Sequence, residues 1–160
     1  MRAEPGDLAQ AVALALRWLR VRDYSSAEMA QRLRTRGFSE TVVDEALNWL
    51  IEERWLSDER LTQRLIARFC EEEPSGDARI RQEFERRGLP PPAELPLEET
   101  ERALEALKQR FGTPPERSDA RTRARWFRFL LQRGFEAETA RHALQQWNPE
   151  LSDDPFLSGG

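Results

Sequence analysis

The sequence predicts an all-α fold of tandem three-helix repeats, and three observations carry that prediction. Arg36-Gly37-Phe38 returns as Arg87-Gly88-Leu89 and again as Arg133-Gly134-Phe135, each time closing an Arg-rich stretch. Apolar residues recur at helical spacing, as in Leu8, Val12, Ala15, Leu16 and Leu19 or Leu61, Leu65 and Phe69, with no alternating strand pattern beside them. Self-similarity at roughly fifty residues, with a helix-ending glycine at one phase, points to a helical unit copied along the chain and stacked on its neighbours.

The first unit, residues 1–56, is expected to hold helices near 7–22, 27–36 and 40–53. Ser25 followed by Glu28 is a capping-box pattern, in which a hydroxyl and a carboxylate satisfy each other's backbone donors. Ser39, Ser57 and Ser118 each precede an acidic residue, the pattern of an N-cap followed by a carboxylate that suits the helix dipole. Gly37, Gly88 and Gly134 stand where a left-handed residue ends a helix, and the Phe or Leu that follows can fold back on the last turn.

The second unit, 57–96, begins at Ser57-Asp58-Glu59 and runs to about residue 73. It breaks at Pro74-Ser75-Gly76 and resumes over 77–87. Its third helix should follow, but Pro90, Pro91, Pro92 and Pro96 occupy that place and leave the unit incomplete. The third unit, 97–147, is read as helices near 97–111, 119–133 and 137–147. Residues 148–160 are read as a disordered acidic tail.

Composition narrows the function classes. The net charge of −4 argues against a chain whose whole surface binds nucleic acid, yet residues 119–147 hold six Arg against three acids. Nearly all positive charge is Arg, whose fork matches carboxylates and phosphates; Lys108 is the one lysine. Cys70 is the one cysteine, which excludes a disulfide framework or a Cys-based zinc site within these residues. Acidic Glu4 and Asp7 near the start, and no long apolar run, lead to the expectation of a cytoplasmic protein with no membrane segment.

Most aromatics are expected in the core: Trp18, Trp49, Trp55, Phe84, Phe111, Phe127, Phe135 and Trp147 fall at inward helix phases. Trp126 and Phe129 would broaden the apolar stripe past one face, so one of them is a candidate for partner contact. Catalytic signals are poor. His142 has no second ligand beside it, Glu71-Glu72-Glu73 point in different directions on a helix, and no phosphate loop or nucleophile elbow is present. A non-enzymatic protein without cofactor or metal is expected.

Several blocks resemble the RecX family of RecA regulators. They are Ala15-Leu16-Arg17-Trp18-Leu19 through Arg22-Asp23-Tyr24-Ser25, Glu28 to Leu33, and Trp55-Leu56-Ser57-Asp58-Glu59-Arg60. Ala78-Arg79-Ile80-Arg81-Gln82-Glu83-Phe84 with Gly88-Leu89, and Arg128 through Phe135, complete the set. The resemblance spans about residues 11–147. It implies three tandem three-helix repeats in an elongated curved array. It also implies a protein that binds the RecA filament on single-stranded DNA and restrains ATP hydrolysis, strand exchange and co-protease action in recombination and the SOS response; a monomer is expected.

By that analogy the candidate partner-binding residues are Arg positions on the second helix of each unit. These are Arg32, Arg34 and Arg36, then Arg79, Arg81, Arg86 and Arg87, then Arg125, Arg128 and Arg133. Solvated arginines paired with their neighbours would look the same in sequence. The chain departs from the family pattern at Glu71-Glu72-Glu73-Pro74-Ser75-Gly76-Asp77, where relatives commonly carry a basic stretch and a Gly-Pro, and at its proline segment. Two further readings stay open: a direct DNA binder using Arg121, Arg123, Arg125 and Arg128, and a helical adaptor for another protein.

Overall fold

In the computed structural model, which describes residues 4–153, the chain forms eight α-helices and no strand among the described residues. They are α1 (Pro5–Val21), α2 (Ser26–Thr35), α3 (Glu40–Glu52), α4 (Asp58–Ala67), α5 (Asp77–Arg86), α6 (Glu99–Phe111), α7 (Ala120–Gln132) and α8 (Ala137–Trp147).

The helix starts follow local chemistry. Ser25 accepts from the Glu28 amide at 3.0 Å while Glu28 accepts from the Ser25 amide at 3.0 Å, so the capping box of α2 is complete. Ser39 accepts from the Val42 amide and Ser57 from the Arg60 amide. At α7 the expectation is off by one residue: Asp119, not Ser118, caps the helix by accepting from the Thr122 amide at 2.7 Å. The charged oxygen is the stronger acceptor for an orphan amide, and Ser118 instead receives the Arg123 fork on its carbonyl at 2.5 Å.

All three repeated ends are the same motif. Gly37, Gly88 and Gly134 have positive φ. Each glycine amide donates to the carbonyl three residues back, and the next amide to the carbonyl five back: Phe38 to Leu33, Leu89 to Phe84, Phe135 to Leu130. Leu33, Phe84, Leu89, Leu130 and Phe135 are buried, and burying a side chain of this kind contributes roughly 1.5–3 kcal/mol.

The described residues fall into two compact units. One comprises the chain up to residue 64 together with 84–90; the other comprises 65–83 and the chain from 91 onward. In the first, α1, α2 and α3 pack together around Ala15, Met29, Leu33, Val43, Ala46 and Leu50. In the second, α6, α7 and α8 pack around Ala106, Leu107, Trp126, Leu130, Leu144 and Trp147. Between Arg86 and Glu99 there is no helix, as the prolines dictate.

Three expectations need correction. Helix α4 does not run straight to residue 73: Arg68–Glu72 form a π turn in which the Glu73 amide donates to the Arg68 carbonyl, and this widened turn buries Phe69 and Cys70. Trp49 and Trp55 are 39 % and 54 % exposed rather than core. Arg54, with φ 64°, turns the chain so that Leu56, 1 % exposed, covers the α3 end in their place. The tail does not begin at residue 148 as a disordered segment. Pro149–Asp153 form a 3-10 turn because Leu151, 4 % exposed, reaches the α6–α8 core; residues 154–160 lie outside the described residues.

Candidate partner-binding surface

The candidate arginines lie on the helices that close on an Arg-Gly pair, in the last turn of α2, along α5 and along the body of α7. In the first unit, α2 brings Arg32 and Arg36 to the Trp18 ring, at 4.4 and 5.9 Å from its centre. Arg32 also donates to the Tyr24 hydroxyl, and Arg22 lies 3.8 Å over the Tyr24 ring. This is a cationic cluster on an aromatic base, the contact worth about 0.5–1 kcal/mol where solvent reaches it. Arg34 turns away and forks onto Glu40 at 2.6 and 3.2 Å, a bond that raises its pKa further.

Arg87 is not a surface group as expected: it is 9 % exposed. Its Nε donates to Glu28 at 2.8 Å and its Nη2 to the Asp23 carbonyl at 2.9 Å, while its own carbonyl accepts from the Ser25 hydroxyl. Burial alone would push the Glu28 carboxyl up, but the Arg87 hydrogen bond, the Ser25 amide and the charges of Arg87 and Arg22 hold it below its usual range. Arg86, its neighbour, is exposed.

In the second unit Arg79 pairs with Glu73 at 3.7 Å and lies 5.7 Å from the Phe69 ring centre. Arg133 lies 5.0 Å over Phe129 and donates to the Pro74 carbonyl at 3.3 Å. Burial first, and then the charges of Arg79 and Arg110, lower the Arg133 pKa, while Glu73 opposes them. Like charges have therefore been gathered around one acid, an arrangement that an added carboxylate or phosphate would relieve. Phe111 packs edge-on against Phe129 at 5.2 Å, and Arg125 and Arg110 lie 5.5 and 5.8 Å from its ring centre. Arg125, Arg128 and Arg121 are exposed on α7 at spacings of three and four, one face of the helix. Trp126 is buried; Phe129, half-buried, is the one of the pair that reaches the surface.

Sequence reading missed Arg102. It is 2 % exposed and donates to the Leu97 carbonyl at 3.2 Å, the Ser75 carbonyl at 2.5 Å and the Asp77 carboxylate. Its phase on α6, four residues before buried Ala106, was the available signal. Burial pushes the Asp77 carboxyl up, but hydrogen bonds from Arg102 and Glu99 bring it below its usual range. Glu99 moves the other way, raised by burial and by its hydrogen bond to Asp77, and opposed by the Glu136 amide, which donates to it at 3.2 Å. Arg81 borders the open cleft of about 530 Å³ beside this cluster, which the proline segment lines with Pro91 and Pro92.

No described helix is long and apolar enough to cross a membrane. Among the described residues no group of three His, Cys, Asp or Glu side chains is placed to hold a metal ion.

The comparisons with known proteins agree with one another. The family model for the first three-helix domain of RecX matches residues 11–50, and that for the third matches residues 98–144. A regulatory protein RecX from Herbaspirillum seropedicae is 36 % identical over 150 residues, covering 89 % of this chain and 94 % of that protein. Its counterpart from Leptothrix cholodnii is 35 % identical, covering 88 % and 90 %. The crystal structure of RecX from Lactobacillus salivarius superposes with a TM-score of 0.66 at 17 % identity, covering 91 % of this chain and 99 % of that one, a likeness of fold.

Proposed function

The chain belongs to the RecX family of regulatory proteins, and from that premise we propose that it is a non-enzymatic regulator of the RecA recombinase. It binds the RecA filament on single-stranded DNA and lowers its ATP hydrolysis, strand exchange and co-protease action. The observation that carries this reading is the recurrence of arginines on equivalent helices: Arg32 on α2 and Arg36 at its end, Arg79 and Arg81 on α5, and Arg125 and Arg128 on α7 with Arg133 at its end. Repeated forked donors suit a partner that repeats its own acidic or phosphate groups, and several weak contacts add through effective concentration.

The test is single-stranded-DNA-dependent ATP hydrolysis by the RecA of the same organism, with this protein titrated in and a bare-DNA binding control. A fall in hydrolysis at concentrations that leave bare DNA unbound is the expected result, and unchanged hydrolysis overturns the reading. Direct DNA binding is the second reading, favoured by the exposed row of Arg121, Arg125 and Arg128. It predicts retention of bare DNA with steep salt dependence, lost when those three are neutralised.

A further inference from the structure

Glu73 draws two guanidinium groups and closes on neither. Nε and Nη2 of Arg68 stand 3.4 and 3.3 Å from its Oε2, and Nη2 of Arg79 stands 3.7 Å from the same oxygen. A charge-assisted bond between a guanidinium and a carboxylate shortens to about 2.7–2.9 Å, as Arg87 does on Glu28 at 2.8 Å. One oxygen is thus shared at long range by two forks.

The backbone gathers the group. The π turn Arg68–Glu72 ends with the Glu73 amide on the Arg68 carbonyl at 2.6 Å, and widened turns of this kind are frequent at functional sites. A third guanidinium lies beside it: Arg133 donates to the carbonyl of Pro74, the residue after Glu73, at 3.3 Å, and its own carbonyl accepts from the Gly76 amide at 2.9 Å. Gly134 lets these segments meet, since a Cβ there would stand 2.5 Å from the Arg79 Cβ. Arg110 borders the group through two rings. Arg133 lies 5.0 Å from the Phe129 ring centre, Phe129 packs on Phe111 at 5.2 Å, and Arg110 lies 5.8 Å from the Phe111 ring centre. All of these residues belong to the second compact unit.

The charges are unequal. Among the described residues Glu73 is the carboxylate that pairs with Arg68 and Arg79, and Arg110 and Arg133 have no carboxylate partner. Glu71 and Glu72 are exposed and form no ion pair with these arginines. Burial, and then the charges of Arg79 and Arg110, lower the Arg133 pKa, a strain that further negative charge relieves. A carboxylate brings one charge and two oxygens to this place. A phosphate monoester brings nearly two charges and three free oxygens, enough to meet three forks together.

We propose that Arg68, Arg79 and Arg133 form a binding site for a phosphate monoester group, with Arg110 at its edge, and that Glu73 occupies the site in the free protein as a competitor that the phosphate displaces. The Glu73 side chain is 42 % exposed and has solvent to turn into. Free phosphate and the terminal phosphate of a nucleotide present the same three oxygens, and the site is independent of whether RecA is the partner.

The experiment is a titration of the ¹⁵N-labelled full chain with inorganic phosphate at constant ionic strength in chloride, following the Nε–Hε resonances of the arginines. Adenosine 5′-monophosphate, with adenosine as its control, forms a second arm. Saturable shifts confined to Arg68, Arg79, Arg133 and Arg110 are the expected result. A matching response to the nucleotide and none to adenosine extends the site to terminal phosphates; a response to inorganic phosphate alone assigns it to the free ion. Glu73→Gln, which keeps the shape and removes the charge, is expected to tighten phosphate binding about tenfold, the scale of two partly exposed ion pairs released. Arg68→Gln and Arg79→Gln are each expected to weaken it by about as much, with helical circular dichroism unchanged. Unsaturable shifts spread over the exposed arginines, a Glu73→Gln protein that binds phosphate no tighter than wild type, or wild-type affinity in both arginine variants overturns the proposal.

Discussion

The Ser25 hydroxyl donates to the carbonyl of Arg87, a residue 62 positions further along the chain. The same oxygen accepts from the Glu28 amide at 3.0 Å, so one buried side chain both starts α2 and receives the end of α5. Ser25→Ala removes the cap and leaves the Arg87 carbonyl without that donor. A lost cap costs about 1 kcal/mol and an unsatisfied buried group about 1–3 kcal/mol. Denaturant unfolding of the variant is expected to show a loss of about 2–3 kcal/mol. A loss below about 0.5 kcal/mol, the size of an ordinary surface change, would show that the bond to Arg87 contributes nothing.

The three equivalent glycines separate conformational from steric cost. At Gly37 an alanine meets nothing within 4 Å among the described residues, so the left-handed backbone is the cost that counts, about 1–2 kcal/mol. At Gly134 the added methyl also meets the Arg79 amide nitrogen at 2.9 Å and its Cβ at 2.5 Å, which are parts of a helix and cannot swing aside. Gly134→Ala is therefore expected to lower the melting temperature well beyond Gly37→Ala. Equal losses in thermal unfolding would mean that the close approach at Gly134 is relieved at no cost.

What was legible in the sequence is what local chemistry decides. The Arg-Gly-Phe ends, the Ser25–Glu28 box and the proline gap each rest on residues within a few positions of one another, and the structure keeps them. The fate of an arginine rests on what the rest of the chain brings to it. Arg87 and Arg36 stand at the same phase of the same motif, yet one is locked beside Glu28 and the other is exposed. Arg102 reads as another charged residue on a charged helix until Asp77 and the Ser75 carbonyl fold over it. The exchange of Trp55 for Leu56 turns on the left-handed backbone of Arg54, to which no sequence periodicity points.

The Arg87–Glu28 pair makes acid stability predictable in sign. The folded pKa of Glu28 lies below its ordinary 4.5, so the folded state binds its proton less readily than the unfolded chain. The stabilisation is fully present above about pH 4.5 and is lost as the pH falls through the lower folded value. Glu28→Gln still accepts from the Ser25 amide but loses the charge. Its deficit against wild type is expected to be largest near neutrality and to shrink on acidification in urea unfolding curves. A deficit constant from about pH 7 to pH 3 would assign the Glu28 contribution to shape alone.

Arg87 and Arg81 test whether position on α5 or exposure decides a role. Arg87→Ala leaves Glu28 with the Ser25 amide and the more distant Arg22 at 3.5 Å, and breaking a buried pair of this kind costs on the order of 3 kcal/mol, so a lowered unfolding midpoint is its expected signature. Arg81→Ala, at an exposed position, is expected to stay within about 0.5 kcal/mol of wild type while weakening the proposed inhibition of RecA ATP hydrolysis. If Arg81→Ala inhibited as well as wild type, Arg81 would be removed from the contact surface.

Glu99 gives the opposite pH response. Its folded pKa is raised above 4.5, by burial and by the neighbouring Asp77 carboxyl, so its contribution is fully present below about pH 4.5 and is lost as the pH rises through the folded value. Above that folded value two ionised carboxylates face each other, with Arg102 as the counter-charge and Arg81 nearby. Glu99→Gln keeps an oxygen for the Glu136 amide, supplies an NH₂ donor to Asp77 and removes one of the two charges. The variant is expected to be more stable than wild type near pH 7, by less than about 1 kcal/mol once solvent screening of this partly open site is counted. The advantage should vanish below about pH 4.5, where wild-type Glu99 carries its own proton. Thermal unfolding of both proteins across that range reads the crossover. A Glu99→Gln protein less stable than wild type at neutral pH would show that Arg102 draws a net gain from both carboxylates, making the pair an attractive triad rather than a repulsive dyad held in check.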